Sequence, residues 1–134
     1  MIYFLDTNIV VFCLRGRSPL AMRRLQATPV GDVAVPLQVH AELLLGAAKS
    51  AKPQQSKLRV SAFLAPFRIA WPDAQVIDHY VAIRLHLEAQ GTAISEADLW
   101  IAATVRAASG TVVTNNVREF SRVPGLLVAD WTVP

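Results

Sequence analysis

Three acids, Asp6, Glu42 and Asp98, have local structural roles open to them that do not exhaust what a carboxylate there can do. Asp6 closes the apolar run Ile2–Leu5 and opens the trio Asp6-Thr7-Asn8, so it reads both as a helix N-cap and as a carboxylate at the end of a strand. A cap uses one oxygen and leaves the other free. Glu42 belongs to a helix opened by Pro36, and its i−3, i+3 and i+4 neighbours are Val39, Leu45 and Gly46. That apolar stripe turns Glu42 toward protein, where a carboxylate needs an arginine, a set of donors or a metal ion. Asp98 ends Ser95-Glu96-Ala97-Asp98, which resembles a capping box, yet it shares a stripe with the inward-facing Ile101, Ala102 and Val105. Glu96 points off that stripe and suits the first turn of a helix.

One acid at a strand end, one inward on a helix and one at a helix start form a hard-oxygen set suited to Mg²⁺. That ion takes one or two carboxylates and completes its octahedron with water and phosphate. It polarises a phosphodiester and lowers the pKa of a bound water. The three histidines, His40, His79 and His86, and the single Cys13 have no zinc-ligand spacing. The net charge is +3 and the pI about 9.5, with Arg15, Arg17, Arg23 and Arg24 as the densest basic segment. These read as a solvated helix face or as a rim for phosphates, since guanidinium forks match phosphate oxygens. In the second reading the acids hold a metal and the arginines hold a nucleic-acid backbone.

Short strands alternating with helices must position these groups. The pattern predicts strands at Ile2–Leu5, Asp32–Val35, Arg68–Ala70 and Thr111–Thr114, with a last edge strand at Leu126–Val128. Helices are expected at about Thr7–Leu14, Pro19–Ala27, Pro36–Lys49, Pro53–Leu64, Asp73–Gln90 and Ser95–Ser109, with a short one near Asn116–Phe120. The expected fold is α/β: one domain over residues 1–134, with a mostly parallel sheet of four or five short strands flanked by helices on both faces. Sites in such folds lie beyond the carboxyl ends of the strands.

At 53% hydrophobic residues and a mean hydropathy of +0.36 the chain is apolar for its 134 residues. Its longest apolar runs are too short, and too interrupted by Glu42 and Asp98, to span a membrane. The excess apolar surface is expected at a subunit or partner interface, Trp100 included. Trp71 and Trp131 read as packing residues before base-stacking ones, and His79 and His86, seven apart on one helix, as surface or packing residues. The start of the chain lacks a basic leader, and a lone cysteine suits a reducing cytoplasm.

Leu5-Asp6-Thr7-Asn8, Ala41-Glu42-Leu43 with Gly46, and Ile94 through Ala103 around Asp98 together resemble the PIN-domain nucleases. Val112 through Phe120, then Arg122-Val123-Pro124-Gly125-Leu126 and Asp130-Trp131, are similar to the VapC-type toxins of type II toxin–antitoxin modules. The resemblance spans the whole chain. It implies an endoribonuclease that hydrolyses phosphodiester bonds of structured RNA such as tRNA, using metal-activated water. It implies Mg²⁺ or Mn²⁺ at Asp6 and Asp98, Glu42 as a further catalytic acid, a homodimer and a cognate VapB-type antitoxin. Many PIN domains carry a fourth acid shortly after the strand that ends here at Thr114, where this chain has Asn115 and Asn116. One metal ion is therefore expected. Glu119 either supplies the missing acid or pairs with Asn116 in a capping box, and Thr7, Asn8, Thr114 and Asn116 surround the acids. A phosphoacceptor or phosphatase is disfavoured because the last lysine is Lys57 and the first strand lacks an Asp-x-Asp. A non-catalytic RNA-binding module draws its support from Asn115 and Asn116.

Overall fold

A computed structural model describes all 134 residues. Five strands, β1 (Tyr3–Leu5), β2 (Val33–Pro36), β3 (Arg68–Ala70), β4 (Thr111–Val113) and β5 (Leu127–Ala129), form one sheet in the order β3-β2-β1-β4-β5. Every pairing is parallel, with Tyr3 opposite both Val33 and Thr111. Parallel strands need crossovers. These are α1 (Thr7–Leu14) and α2 (Pro19–Ala27), then α3 (Leu37–Ala48) and α4 (Pro53–Leu64), then α5 (Ala74–Gln90) and α6 (Glu96–Ala107), and last α7 (Val117–Phe120).

The central strands are buried on both faces: Phe4, Leu5, Val33, Ala34, Val35, Val112 and Val113 all belong to the core. That is why they read as short continuous apolar runs and not as alternating ones. The chain winds outward from β1 through β2 to β3, then returns to β4 on the other side of β1. The order therefore reverses between β1 and β4, and the crevice outside their carboxyl ends is the place for a site.

Several boundaries differ from the sequence reading. Pro36 is the last residue of β2 and not the first of a helix, and the 3₁₀ turn Val30–Asp32 precedes that strand. The last strand begins one residue later than its apolar run suggests. Helix α6 ends at Ala107, and Ser109, not Gly110, takes the left-handed conformation beyond it (φ 53°). Gly110 has another reason to be small: a Cβ there would stand 2.4 Å from Cε2 of Phe4 and 2.9 Å from the Ile2 carbonyl oxygen. It is the point where α6 hands the chain to β4 directly beside β1.

Candidate active site

Asp6 follows β1 immediately and extends its ladder, its amide donating to the Val113 carbonyl at 3.0 Å. Oδ1 accepts from the Thr7 amide at 2.7 Å, and Oδ2 accepts from the Thr114 hydroxyl at 2.8 Å. Neither oxygen is wholly free, as a simple cap would leave one. An N-cap ordinarily reaches the second or third amide of its helix; Asp6 reaches only the first, because its carboxylate is turned across to the end of β4. Thr114, fully buried, is the pivot: its Oγ1 also accepts from the Asn116 amide at 2.9 Å. Burial pushes the Asp6 carboxyl above the usual range, opposed by the donors from Thr114 and Thr7.

Asp98 enters from the first turn of α6. Ser95 Oγ accepts from the Asp98 amide at 3.2 Å, which is the N-cap half of the capping box. The Asp98 carboxyl is pushed up to about 6, first by burial, then by the negative charge of Asp6, with Glu119 adding to the push and Ser95 opposing it. Asp6, Asp98 and Glu119 thus share one electrostatic neighbourhood although they come from β1, α6 and α7. Glu119 is fixed by Asn116, whose Nδ2 donates to Oε2 at 3.0 Å. This is a side-chain pair and not the capping box that the spacing suggests, since the Asn116 side chain makes no cap to α7.

Glu42 departs from the sequence reading. The buried stripe of α3 is Val39, Leu43 and Ala47, so Glu42 lies about a quarter turn off it and is exposed, as are Leu45 and Gly46. It nonetheless reaches the site edge: Thr7 Oγ1 donates to Oε2 at 3.0 Å, so Thr7 links Glu42 to Asp6. Asn8 is exposed beside them, and Asn115 is exposed past β4.

No protein cation neutralises the acids. The two ion pairs of the chain both belong to Arg84, with Glu88 and Glu96 on the α5–α6 surface. Nor do three His, Cys, Asp or Glu side chains close into a ready metal cage. A hard divalent ion takes one or two protein carboxylates and keeps several waters, so it does not require such a cage.

Of the basic segment, Arg15, Arg17 and Arg23 are exposed, while Arg24 donates from Nη1 to the Asp130 carbonyl at 3.1 Å and fastens the C-terminal segment. Trp131 is buried and tilts against Tyr3, and Trp71 is exposed. Trp100, expected at an interface, stacks on Tyr80 with ring centroids 4.1 Å apart. His79 Nδ1 accepts from Arg106 Nε at 2.8 Å, and His86 is exposed. Arg59 shares a groove of about 210 Å³ with Arg15 and Glu42. A lone arginine in a polar helix carries no local signal; only the crossing of α4 over the end of α1 brings it there.

A PIN-domain family model matches residues 3–126. Ribonuclease VapC2 of Rickettsia felis is 35% identical over 132 residues, covering 98% of each chain. The tRNA(fMet)-specific endonuclease VapC of Shigella flexneri is 32% identical over 130 residues, covering 97% of this chain and 98% of that one. The crystal structure of VapBC2 from Rickettsia felis bound to a DNA fragment from their promoter matches with a TM-score of 0.90 and 34% identity, over 98% of this chain and 99% of that one. Fold, strand-end acids and relatives agree: the chain belongs to the PIN-domain family, as a VapC-type ribonuclease.

Proposed function

We propose that the chain is a Mg²⁺-dependent endoribonuclease toxin, with Mn²⁺ as an alternative ion, and that Asp6 and Asp98 are its metal ligands. The observation that carries this reading is the cluster of Asp6, Asp98 and Glu119 with no protein cation among them. A buried carboxyl whose proton affinity is raised by acidic neighbours, as Asp98 is, is stabilised by a divalent cation. When bound, such an ion polarises a phosphodiester and acidifies a water.

The chain's own groups supply the rest. Thr7 and Thr114 hold the two oxygens of Asp6, so its plane is set before anything binds. Asn116 aims Glu119 at the same edge, where it stands in for the acid that Asn115 and Asn116 do not provide. Glu42 completes the site from α3, exposed to solvent and placed to take a proton from an attacking water. Arg15, Arg17 and Arg23, all exposed, are the candidates for contacting backbone phosphates, and Asn8 is exposed next to Thr7. One ion at Asp6 and Asp98 is sufficient for this arrangement.

By likeness to the tRNA(fMet)-specific relative, the substrate is structured RNA, with tRNA the class to test first. By likeness to the VapBC complex, the partner is a VapB-type antitoxin. A homodimer would bury the exposed stripe Ile77, Val81 and Leu85 of α5, apolar side chains at i, i+4 and i+8. No helix is long and apolar enough to cross a membrane; a free Cys13 suits the cytoplasm. Purified chain should cut tRNA in Mg²⁺ or Mn²⁺ and not in chelator, and Asp6→Asn and Asp98→Asn should each abolish cutting. Cleavage that survives both substitutions would sink the proposal.

A further inference from the structure

The groove beside Glu42 is built from one stripe of each of three helices. Helix α1 presents Thr7, Val11 and Leu14, α3 presents Glu42, Leu43, Gly46 and Ala47, and α4 presents Ser56, Arg59 and Val60. Thr7 and Glu42 belong to the catalytic edge, whereas Arg15 lies past the other end of α1, about 12 Å away along that helix. Arg59 is held at the same far end, its Nη2 donating to the Leu14 carbonyl at 2.7 Å. One of the five guanidinium N–H groups is thereby used, and the plane is fixed while the others stay uncommitted.

Gly46 is the unexplained residue of this groove. It sits within α3, where glycine is less favourable than alanine, and its φ is not left-handed. A Cβ built on it meets nothing within 4 Å. Neither the helix nor the packing of this chain requires glycine there.

We infer that the groove seats the RNA strand as it leaves the catalytic acids, with Gly46 giving clearance to a nucleotide and Arg59, together with Arg15, clamping a phosphate at the far end. Arg59 is in this sense a positioning residue for the strand. The inference rests on the ribonuclease reading above and deepens it. Two observations commit the occupant to RNA: the groove begins at Thr7 and Glu42, and Thr7 is hydrogen-bonded to both Glu42 and Asp6, while its far end carries two cations and no acid. The hydroxyls of Ser50 and Ser56, hydrogen-bonded to each other at 2.8 Å, add polar lining. The aliphatic floor of Val11, Leu14 and Val60 suits the face of a base.

The test measures steady-state cleavage of bulk tRNA, thermal melting and inhibition by the cognate antitoxin for Gly46→Ala, Gly46→Leu, Arg59→Ala and Arg59→Lys. Gly46→Ala should raise the melting temperature by about 2–4 °C, because only the helix is affected, yet raise KM several-fold. Gly46→Leu should raise KM about tenfold or more, with kcat nearly unchanged. Arg59→Ala should raise KM about tenfold and lower the salt slope of log(kcat/KM) by about one, the mark of one lost phosphate contact. Arg59→Lys should restore the slope and only part of KM, since an ammonium lacks the guanidinium fork. A merely structural Arg59 would move melting and leave the salt slope alone, which overturns the inference. It is equally overturned if all four variants cut with wild-type KM, or if they lose only inhibition, which would make the groove the antitoxin's. A wild-type chain that cuts no RNA removes the ribonuclease reading itself, and this inference with it.

Discussion

Replacing Asp98 by Asn separates what the acid cluster costs the fold from what it does for the reaction. The Asp98 carboxyl is raised from 3.8 to about 6, by burial and by the charges of Asp6 and Glu119. A shift of about two units corresponds to about 3 kcal/mol for a wholly desolvated group. Asp98 is only half-buried, so solvent screening reduces this to about 1.5 kcal/mol. The folded chain holds the proton more tightly than the unfolded chain, so the penalty is absent below about pH 4. It grows between about pH 4 and 6 and is complete above that window. Asn mimics the protonated acid at every pH. Metal-free Asp98→Asn should therefore melt about 3–6 °C above the wild type at neutral pH, with the gap closing toward pH 4.

Mg²⁺ should narrow or reverse that order. At tenfold excess over its dissociation constant an ion adds about 1.4 kcal/mol to the chain that binds it, and the variant has lost a ligand. Melting scans across pH, with chelator and with Mg²⁺, measure both effects, and a cleavage assay on the same samples shows the lost reaction. A variant that melts at or below the wild type at neutral pH without metal would refute the crowding of these acids.

Two further substitutions test the frame that holds Asp6. Thr114→Val removes a buried donor to Asp6 Oδ2 and the acceptor of the Asn116 amide; it should destabilise by about 1–3 kcal/mol in denaturant titration and slow cleavage, while Thr114→Ser retains both. Gly110→Ala forces a Cβ into the Phe4 ring; it should destabilise by about 1–3 kcal/mol, and Phe4→Leu should recover part of the loss in a double-mutant cycle.

The parallel sheet and its crossovers were legible because β1, β2 and β4 are buried on both faces and read as unbroken apolar runs between capping residues. Asp6 and Asp98 were legible for a related reason: strand ends and helix starts are marked locally by Asp-Thr-Asn and by Ser95. Glu119 was only half legible. Its spacing from Asn116 fits a helix cap, and nothing local says that α7 carries it to α6, 21 residues back along the chain. Gly110 carries no local signal beyond its place just past a helix, because the atoms that require it belong to Phe4 and Ile2.

Glu42 shows a different failure. Periodicity locates the buried face of a helix only when the other faces are polar. Helix α3 carries Leu43, Leu44 and Leu45 in succession, and only Leu43 is buried. The hydrophobic pattern therefore has no unique phase, and the stripe through Val39, Glu42, Leu45 and Gly46 looked as plausible as the true one through Val39, Leu43 and Ala47. A helix that exposes Leu44 at 38% and Leu45 at 55% is patterned for contacts this chain alone does not make. The same surplus that obscured the phase is thus information about function. Leu44 and Leu45 are the uncovered apolar residues of α3, next in sequence to the groove-lining Leu43 and Gly46 and three residues or fewer from Glu42.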